Sequence, residues 1–176
     1  ISPEQFAKMA REEIRFLQQQ HSDFQCPIRI REDISGVMVN RGALNISKSY
    51  KLSLNRAKSL IQHEIGTHVV TYFNGRKQPL NLFSLGVPGY EELQEGLAVM
   101  AEHLVDGLNN DRLRTIAARV IAVQHMLLGN SFSDTFSMLI EQHGFRQEAA
   151  FQIIMRVYRG GGLTKDALYL KGLIDL

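Results

Sequence analysis

Two histidines and a glutamate lie within one short stretch, His63-Glu64-Ile65-Gly66-Thr67-His68. The pattern H-E-x-x-x-H is one residue longer than the H-E-x-x-H of many zinc proteases. In a regular α-helix each residue advances about 100°, so the two imidazoles would point about 140° apart. Side chains so far apart cannot share one metal ion at bond lengths of about 2.0–2.1 Å.

A π-bulge would remove this conflict, because i→i+5 pairing returns residues five apart to one face of a helix. Such bulges often lie at functional sites. We predict one within residues 62–68, with Gly66 at the distortion. His63 and His68 are then candidate metal ligands, and the alternative is two unrelated histidines on an ordinary helix.

A second helix offers a third ligand. The stretch Pro88–Ala98 (PGYEELQEGLA) predicts a helix start, and Glu95 falls about one turn into it. Zinc hydrolases of the two-His-plus-Glu type use such a carboxylate and leave the fourth position for water. Glu64, next to a ligand, would lie near the metal without binding it, which suits a general base; the alternative is a solvent-exposed helix glutamate.

HEIGTH at 63–68, QEGLA at 94–98 and LTKDALYLKG at 163–172 occur in this order. Together they resemble the tyrosine carboxypeptidase family, which includes microtubule-associated tyrosine carboxypeptidases and bacterial flavohaemoglobin-expression-modulating proteins named for a QEGLA motif. The resemblance runs from about Leu54 to the C-terminus and is weaker before that. It implies a metallopeptidase with one Zn²⁺ per protomer that removes a C-terminal residue, an aromatic one being a candidate, from a peptide or protein.

The resemblance also places Lys165 and Tyr169 on matching positions of the closing motif. A carboxypeptidase needs an electrophile for the oxyanion and a cation for the substrate's terminal carboxylate. We expect Tyr169 to serve the oxyanion and Arg159 or Lys165 to bind the carboxylate, with Arg156 a further candidate. The alternatives are a surface basic strip with a packed tyrosine and, for the whole protein, a non-catalytic regulatory or scaffold protein with a structural zinc.

The remaining pattern predicts an α+β fold, mostly helical. A helix from Ser2 to about Gln20, with a Ser2–Gln5 capping box, is followed by three short strands before residue 50 that we expect to form a small antiparallel sheet. Apolar spacing then predicts a helical bundle over 51–176, with the zinc site between two central helices. Its predicted helices are 54–74, 90–105, 110–128, 131–143, 147–158 and one capped by Thr164, with a loop at 76–87 and a glycine hinge at 160–162.

Two further residues of the second metal helix, Gly96 and Glu102, are expected to support the site. Gly96 would let this helix approach the first metal helix closely. Glu102, seven residues after Glu95 on the same face, would either hydrogen-bond a ligand histidine or form a plain salt bridge.

Composition sets the broad class. The 176 residues predict a single catalytic domain, and 44% hydrophobic content supports a real core. A formal net charge of +2 does not favour a nucleic-acid partner, and no apolar run approaches the ~18 residues of a membrane span. One cysteine, Cys26, excludes an internal disulfide, so we expect a buried thiol and a cytoplasmic protein. Because the chain begins at Ile1, we expect the catalytic part of a longer protein.

Overall fold

The computed structural model describes residues 1–160 and 164–176 and confirms the mostly helical α+β fold. No helix in these ranges is both long and apolar enough to cross a membrane. The helices are α1 (Pro3–Gln20), α2 (Leu54–Ile61), a π-helical segment (Gln62–Val69), α3 (Val70–Arg76), α4 (Leu82–Leu85), α5 (Tyr90–Leu104), α6 (Asn110–Leu127), α7 (Phe132–Glu141), α8 (Gln147–Tyr158) and α9 (Leu168–Ile174), the last preceded by a 3₁₀ turn (Lys165–Ala167); the strands are β1 (Ile28–Arg31), β2 (Val37–Asn40) and β3 (Ala43–Ser47).

The sheet is mixed, so our prediction of a purely antiparallel sheet is wrong. Its order is β1-β3-β2, with β3 parallel to β1 and antiparallel to β2. Arg41 and Gly42, both with positive φ, join β2 to β3 in a two-residue hairpin. Every residue of β3 is buried, whereas β1 carries Arg29 and Arg31. The fully buried strand therefore lies at the centre, and β1 and β2 lie at the edges.

Three hydrophobic clusters support the site. The first joins α1 and the sheet to α2 and the π-helical segment; Phe6, Leu44 and Ile65 are fully buried in it. The second joins α6, α7 and α8 around Leu139 and Ile154. The third is small and joins α5 and α6 to Tyr169 of α9. The helix that carries Glu95 therefore contacts α9, and it also packs against the π-helical segment.

Gly96 marks a close helix contact, but not the one we expected. A Cβ on Gly96 would lie 2.3 Å from the carbonyl oxygen of Gly172, and one on Gly172 would lie 2.0 Å from the carbonyl oxygen of Glu92. The helix that Gly96 allows to come close is therefore α9 and not the first metal helix. Only glycines allow this backbone contact, which brings the closing segment against the helix of Glu95.

Local signals located most helix boundaries. Ser2 and Gln5 form the predicted capping box, and Asn109 and Ser131 cap α6 and α7 through their side chains. Two details differ: the predicted loop 76–87 contains α4, and Thr164 makes no side-chain cap because a 3₁₀ turn precedes α9. Of the predicted glycine hinge, Gly161 and Gly162 lie outside the described residues, as does Leu163 of the closing motif.

Candidate metal centre

The predicted π-bulge is confirmed and is longer than a single wide turn, since the π-helical segment spans eight residues. The amide of Val70 donates to the carbonyl of Ile65, five residues before it. This pairing brings His63 and His68 to one side, with ring centroids 5.0 Å apart. Gly66 lies within the segment, where a Cβ would meet the flexible side chain of Gln62 at 2.6 Å.

Glu95 completes a group of three possible metal ligands. Its Oε2 lies 3.6 Å from Nε2 of His63 and 3.6 Å from Nε2 of His68. One ligand atom from each residue lies within 4.8 Å of the others. Glu95 is 4% exposed, and its buried Oε2 has no hydrogen-bond partner among residues 1–160 and 164–176. Two nitrogens and an unsatisfied carboxylate oxygen facing one point fit a metal ion.

The state of His68 also suits a metal ligand. The pKa of His68 is lowered to about 4, chiefly by burial; the charge of Glu95 opposes this shift, while His63 and Lys165 contribute to it. Its imidazole is therefore neutral at physiological pH, with a free lone pair on one nitrogen. Metal binding needs this form, because a protonated imidazole cannot coordinate.

Glu64 faces the same cavity without being one of the three. Its side chain is buried, and this burial raises the pKa of the carboxyl to about 7, with a contribution from the charge of Glu95. His63 and Arg56 act in the opposite direction. A carboxyl whose pKa is near neutrality can both accept and return a proton, as a general base must.

Two charged side chains, Lys165 and Glu102, contact the candidate ligands. Nζ of Lys165 lies 3.2 Å from Oε1 of Glu95, the oxygen turned away from the histidines. Nδ1 of His63 lies 2.8 Å from Oε1 of the fully buried Glu102, although the ring N–H is not aimed straight at that oxygen. Glu102 also pairs with Arg56 and Arg112. Both alternatives considered for Glu102, histidine contact and salt bridge, are therefore present together.

Tyr169 lies beside the ligands in α9. Its ring stacks on His63 with a centroid separation of 6.2 Å and an interplanar angle of 17°. The hydroxyl accepts a hydrogen bond of 2.9 Å from Nη2 of Arg156. Burial, followed by the charge of Glu95, raises the pKa of Tyr169, so its hydroxyl keeps its proton. The structure thus brings the predicted oxyanion group to the candidate metal site.

The two cations predicted for the substrate carboxylate differ in their surroundings. Lys165 lines the cavity and pairs with Glu95. Arg159 is exposed, and its Nη1 lies 3.9 Å from Sδ of Met155. Both residues face the cleft, but Arg159 pairs with no carboxylate in the part of the chain that the structure describes.

Sequence reasoning missed Arg119 and Asp166. The guanidinium of Arg119 lies over the Tyr169 ring at 5.3 Å, and Asp166 accepts from Nε of Arg156. Asp166 belongs to the closing motif, so the sequence could have indicated that it lies near the site. Arg119 could have been noticed as a charge in an otherwise apolar stretch of α6, seven residues after Arg112.

The three candidate ligands, Glu64, Tyr169 and the cations Arg156, Arg159 and Lys165 line one cleft of about 1080 Å³. Residues 37–42 of β2 and the hairpin form one wall, residues 83–87 and Tyr90 form another, and the closing segment forms the third. A smaller cavity of about 510 Å³ beside it is lined by Arg119, Arg156 and Arg159 and, among the residues that the structure describes, by no acidic side chain. Arg156, Arg159 and Lys165 bring positive charge to the main cleft.

A family model described as microtubule-associated tyrosine carboxypeptidase matches residues 1–176, the whole chain. The match includes the first fifty residues, where the motif resemblance was weak. No curated protein and no solved structure matches the chain. Membership of this family implies a carboxypeptidase that acts on a peptide or protein. The chain therefore belongs to the microtubule-associated tyrosine carboxypeptidase family.

Proposed function

We propose that this chain is a zinc-dependent carboxypeptidase that removes a C-terminal residue from a peptide or protein. One observation supports this above the others: the buried Oε2 of Glu95 has no partner among the described residues and lies 3.6 Å from Nε2 of both histidines. A buried carboxylate oxygen without a partner is costly, so its presence at this point favours a cation between the three side chains.

Zinc is the metal that this donor set fits best, because two imidazole nitrogens and one carboxylate are the ligands of many catalytic zinc sites. Bound by His63, His68 and Glu95, zinc would polarise the scissile carbonyl and lower the pKa of the attacking water. A site with three protein ligands leaves a position for substrate. A purely structural zinc would have four protein ligands, and it would not need a base such as Glu64 beside it.

Glu64 supplies the proton transfers. Its carboxylate takes a proton from the water whose oxygen bonds to the carbonyl carbon, and it gives that proton to the amine as the C–N bond breaks. The side chain is held in the cleft wall opposite β2, with the main chain of Val39 close to its carboxylate.

The closing segment binds the charges that hydrolysis creates or that the substrate carries. The hydroxyl of Tyr169, oriented by Arg156, donates to the oxyanion as it forms. Lys165 is already paired with Glu95, and Arg156 with Asp166. Arg159 therefore has the most donors left for the substrate's terminal carboxylate, and a guanidinium matches a carboxylate in two parallel hydrogen bonds.

The leaving residue would fit between aromatic and apolar walls. Tyr72, Phe83, Val87 and Tyr90 line the cleft on the side of α4. These side chains favour an aromatic or large apolar residue at the substrate C-terminus, because such a residue would bury its ring against them. The microtubule substrate named for the family is not part of this proposal.

The test compares matched peptides with free and amidated C-termini. We expect the parent to cleave only the free form, and Glu64→Gln to keep zinc and fold while losing roughly 10²–10⁴-fold in rate, the usual value of general acid–base catalysis. Arg159→Gln should lose about 10–100-fold in kcat/KM on free peptides, as expected for a charged hydrogen bond of about 1.5–3 kcal/mol.

Equal cleavage of amidated peptides would remove the carboxypeptidase assignment. A parent that holds zinc without hydrolysing any peptide of either form would favour the alternative of a scaffold protein.

A further inference from the structure

Glu102 is the most completely enclosed ionisable group near the site. It lies in α5, seven residues after Glu95, and its side chain is fully buried. Its Oε1 lies 2.8 Å from Nη2 of Arg112 and 2.8 Å from Nδ1 of His63. Its Oε2 accepts from Nη1 of Arg56 at 2.5 Å and from Nε of Arg112 at 2.9 Å. Side chains from three helical segments therefore meet on one carboxylate, two of them as hydrogen-bonding arginines.

The two arginines determine the role of this carboxylate. A buried carboxylate is tolerated only when cations and hydrogen-bond donors compensate it, and Arg56 and Arg112 provide both. Held in this way it remains ionised, and an ionised carboxylate only accepts hydrogen bonds. The atom that faces it from His63, Nδ1, must therefore carry a hydrogen.

This requirement reaches the metal site through the imidazole ring. A neutral imidazole has one N–H, so a hydrogen on Nδ1 leaves the lone pair on Nε2. Nε2 of His63 is the nitrogen that lies 3.6 Å from Oε2 of Glu95. The ring thus has its donor turned to Glu102 and its acceptor turned to the point where the three candidate ligands meet.

We infer that Glu102, fixed by Arg56 and Arg112, is a positioning residue that holds His63 as the Nδ1–H tautomer and so makes Nε2 available to a metal ion. This inference rests on the proposed function for its biological role, but the tautomer is a property of the metal-free protein. The ion pair and the metal site then form one unit, in which α2 and α6 contribute to metal binding without supplying a ligand.

Glu102→Gln provides a sharp test, because an amide has one acceptor oxygen where the carboxylate has two. We expect the arginines to retain that oxygen, which leaves the NH₂ group facing Nδ1 of His63. Nδ1 must then accept, and the hydrogen moves to Nε2. Nitrogen-15 NMR of the imidazoles in metal-free protein should show the Nδ1–H form for His63 in the parent and the Nε2–H form in the variant.

Zinc affinity is the second readout, measured by competition with a chelator of known affinity. We expect Glu102→Gln to weaken zinc binding by about 10–100-fold, as observed for partners of ligating histidines. Glu92→Gln is the matched control: the same helix and substitution, but a partly exposed carboxylate that pairs with Lys171 on the surface. It should change neither the tautomer nor the affinity.

A metal-free parent with His63 as the Nε2–H tautomer would overturn the inference even if Glu102→Gln failed to fold. A folded Glu102→Gln protein with the parent's tautomer and zinc affinity would overturn it as well. A parent with the expected tautomer that binds no zinc would instead refute the proposed function and support the tautomer assignment.

Discussion

The buried face of α5 carries two glutamates in opposite situations. At one end Glu102 accepts hydrogen bonds from Arg56 and Arg112, so neither oxygen is left unpaired. Two turns earlier Glu95 has only Lys165 on one oxygen and no partner on the other among the described residues. The arginines compensate the first carboxylate. The second presents an unpartnered oxygen to the two histidines, which is the environment of a candidate metal ligand.

The largest expected effect tests the Glu95 end. His63→Ala or His68→Ala should abolish binding of about one zinc per protomer, because two ligands cannot hold the ion that three can. Glu95→Gln should weaken it, since an amide oxygen is a poorer zinc ligand than a carboxylate. Elemental analysis after dialysis measures all three. Full zinc content in either histidine variant would show that the ligands lie elsewhere.

The next effect tests the packing that holds this end in place. Gly172→Ala puts a Cβ 2.0 Å from the Glu92 carbonyl oxygen, so α9 must move away from α5. We expect the free energy of unfolding to fall by about 3 kcal/mol, which lowers Tm by about 6–12 °C, and zinc binding to weaken. Lys171→Ala, an exposed neighbour, is the control for thermal unfolding. Equal Tm values for both variants would contradict the close contact.

A smaller effect tests the Glu102 end. Arg112→Gln removes two of the donors to a buried carboxylate, while Arg56 remains. We expect a loss of about 2 kcal/mol, equivalent to about 4–8 °C in Tm. Arg114→Gln, an exposed position two residues later in α6, should lower Tm by much less. Equal Tm values for the two variants would show that Arg112 does not stabilise the buried carboxylate of Glu102.

The smallest effect has the opposite sign. In metal-free protein Glu95→Gln should leave Tm unchanged or raise it by about 1–3 °C, because a neutral amide is cheaper to bury than an unpaired carboxylate. Its ion pair with the exposed Lys165 contributes little to offset this. A fall as large as that of Arg112→Gln would mean that the two ends of α5 do not differ as we describe.

The approach of His63 to His68 could be predicted from sequence because its constraint is local. Five-residue spacing of His63 and His68 is compatible with one ion only through a π-helical turn, and that turn is present. Helix starts at Ser2, Asn109 and Ser131 were equally accessible, since a cap depends on residues within one turn.

What escaped prediction depends on contacts between distant segments. β3 lies between β1 and β2 and is completely buried. The sequence of a short strand does not show which strands will pair with it. The partner of Gly96 depends on how α5 and α9 cross. A glycine in a helix indicates a close backbone contact, but the sequence does not show which helix makes it. For the same reason Arg119 could not be assigned to the Tyr169 ring.

The position of Tyr169 gives the order of synthesis a chemical meaning. His63, Glu64, His68 and Glu95 are translated before Tyr169, which follows His63 by roughly a hundred residues. At about 5–20 residues per second, about 5–20 seconds separate them. During that interval the candidate ligands and Glu64 are present without the third wall of the cleft. A nascent chain therefore cannot enclose a peptide in this cleft until the segment that carries Tyr169 has been translated.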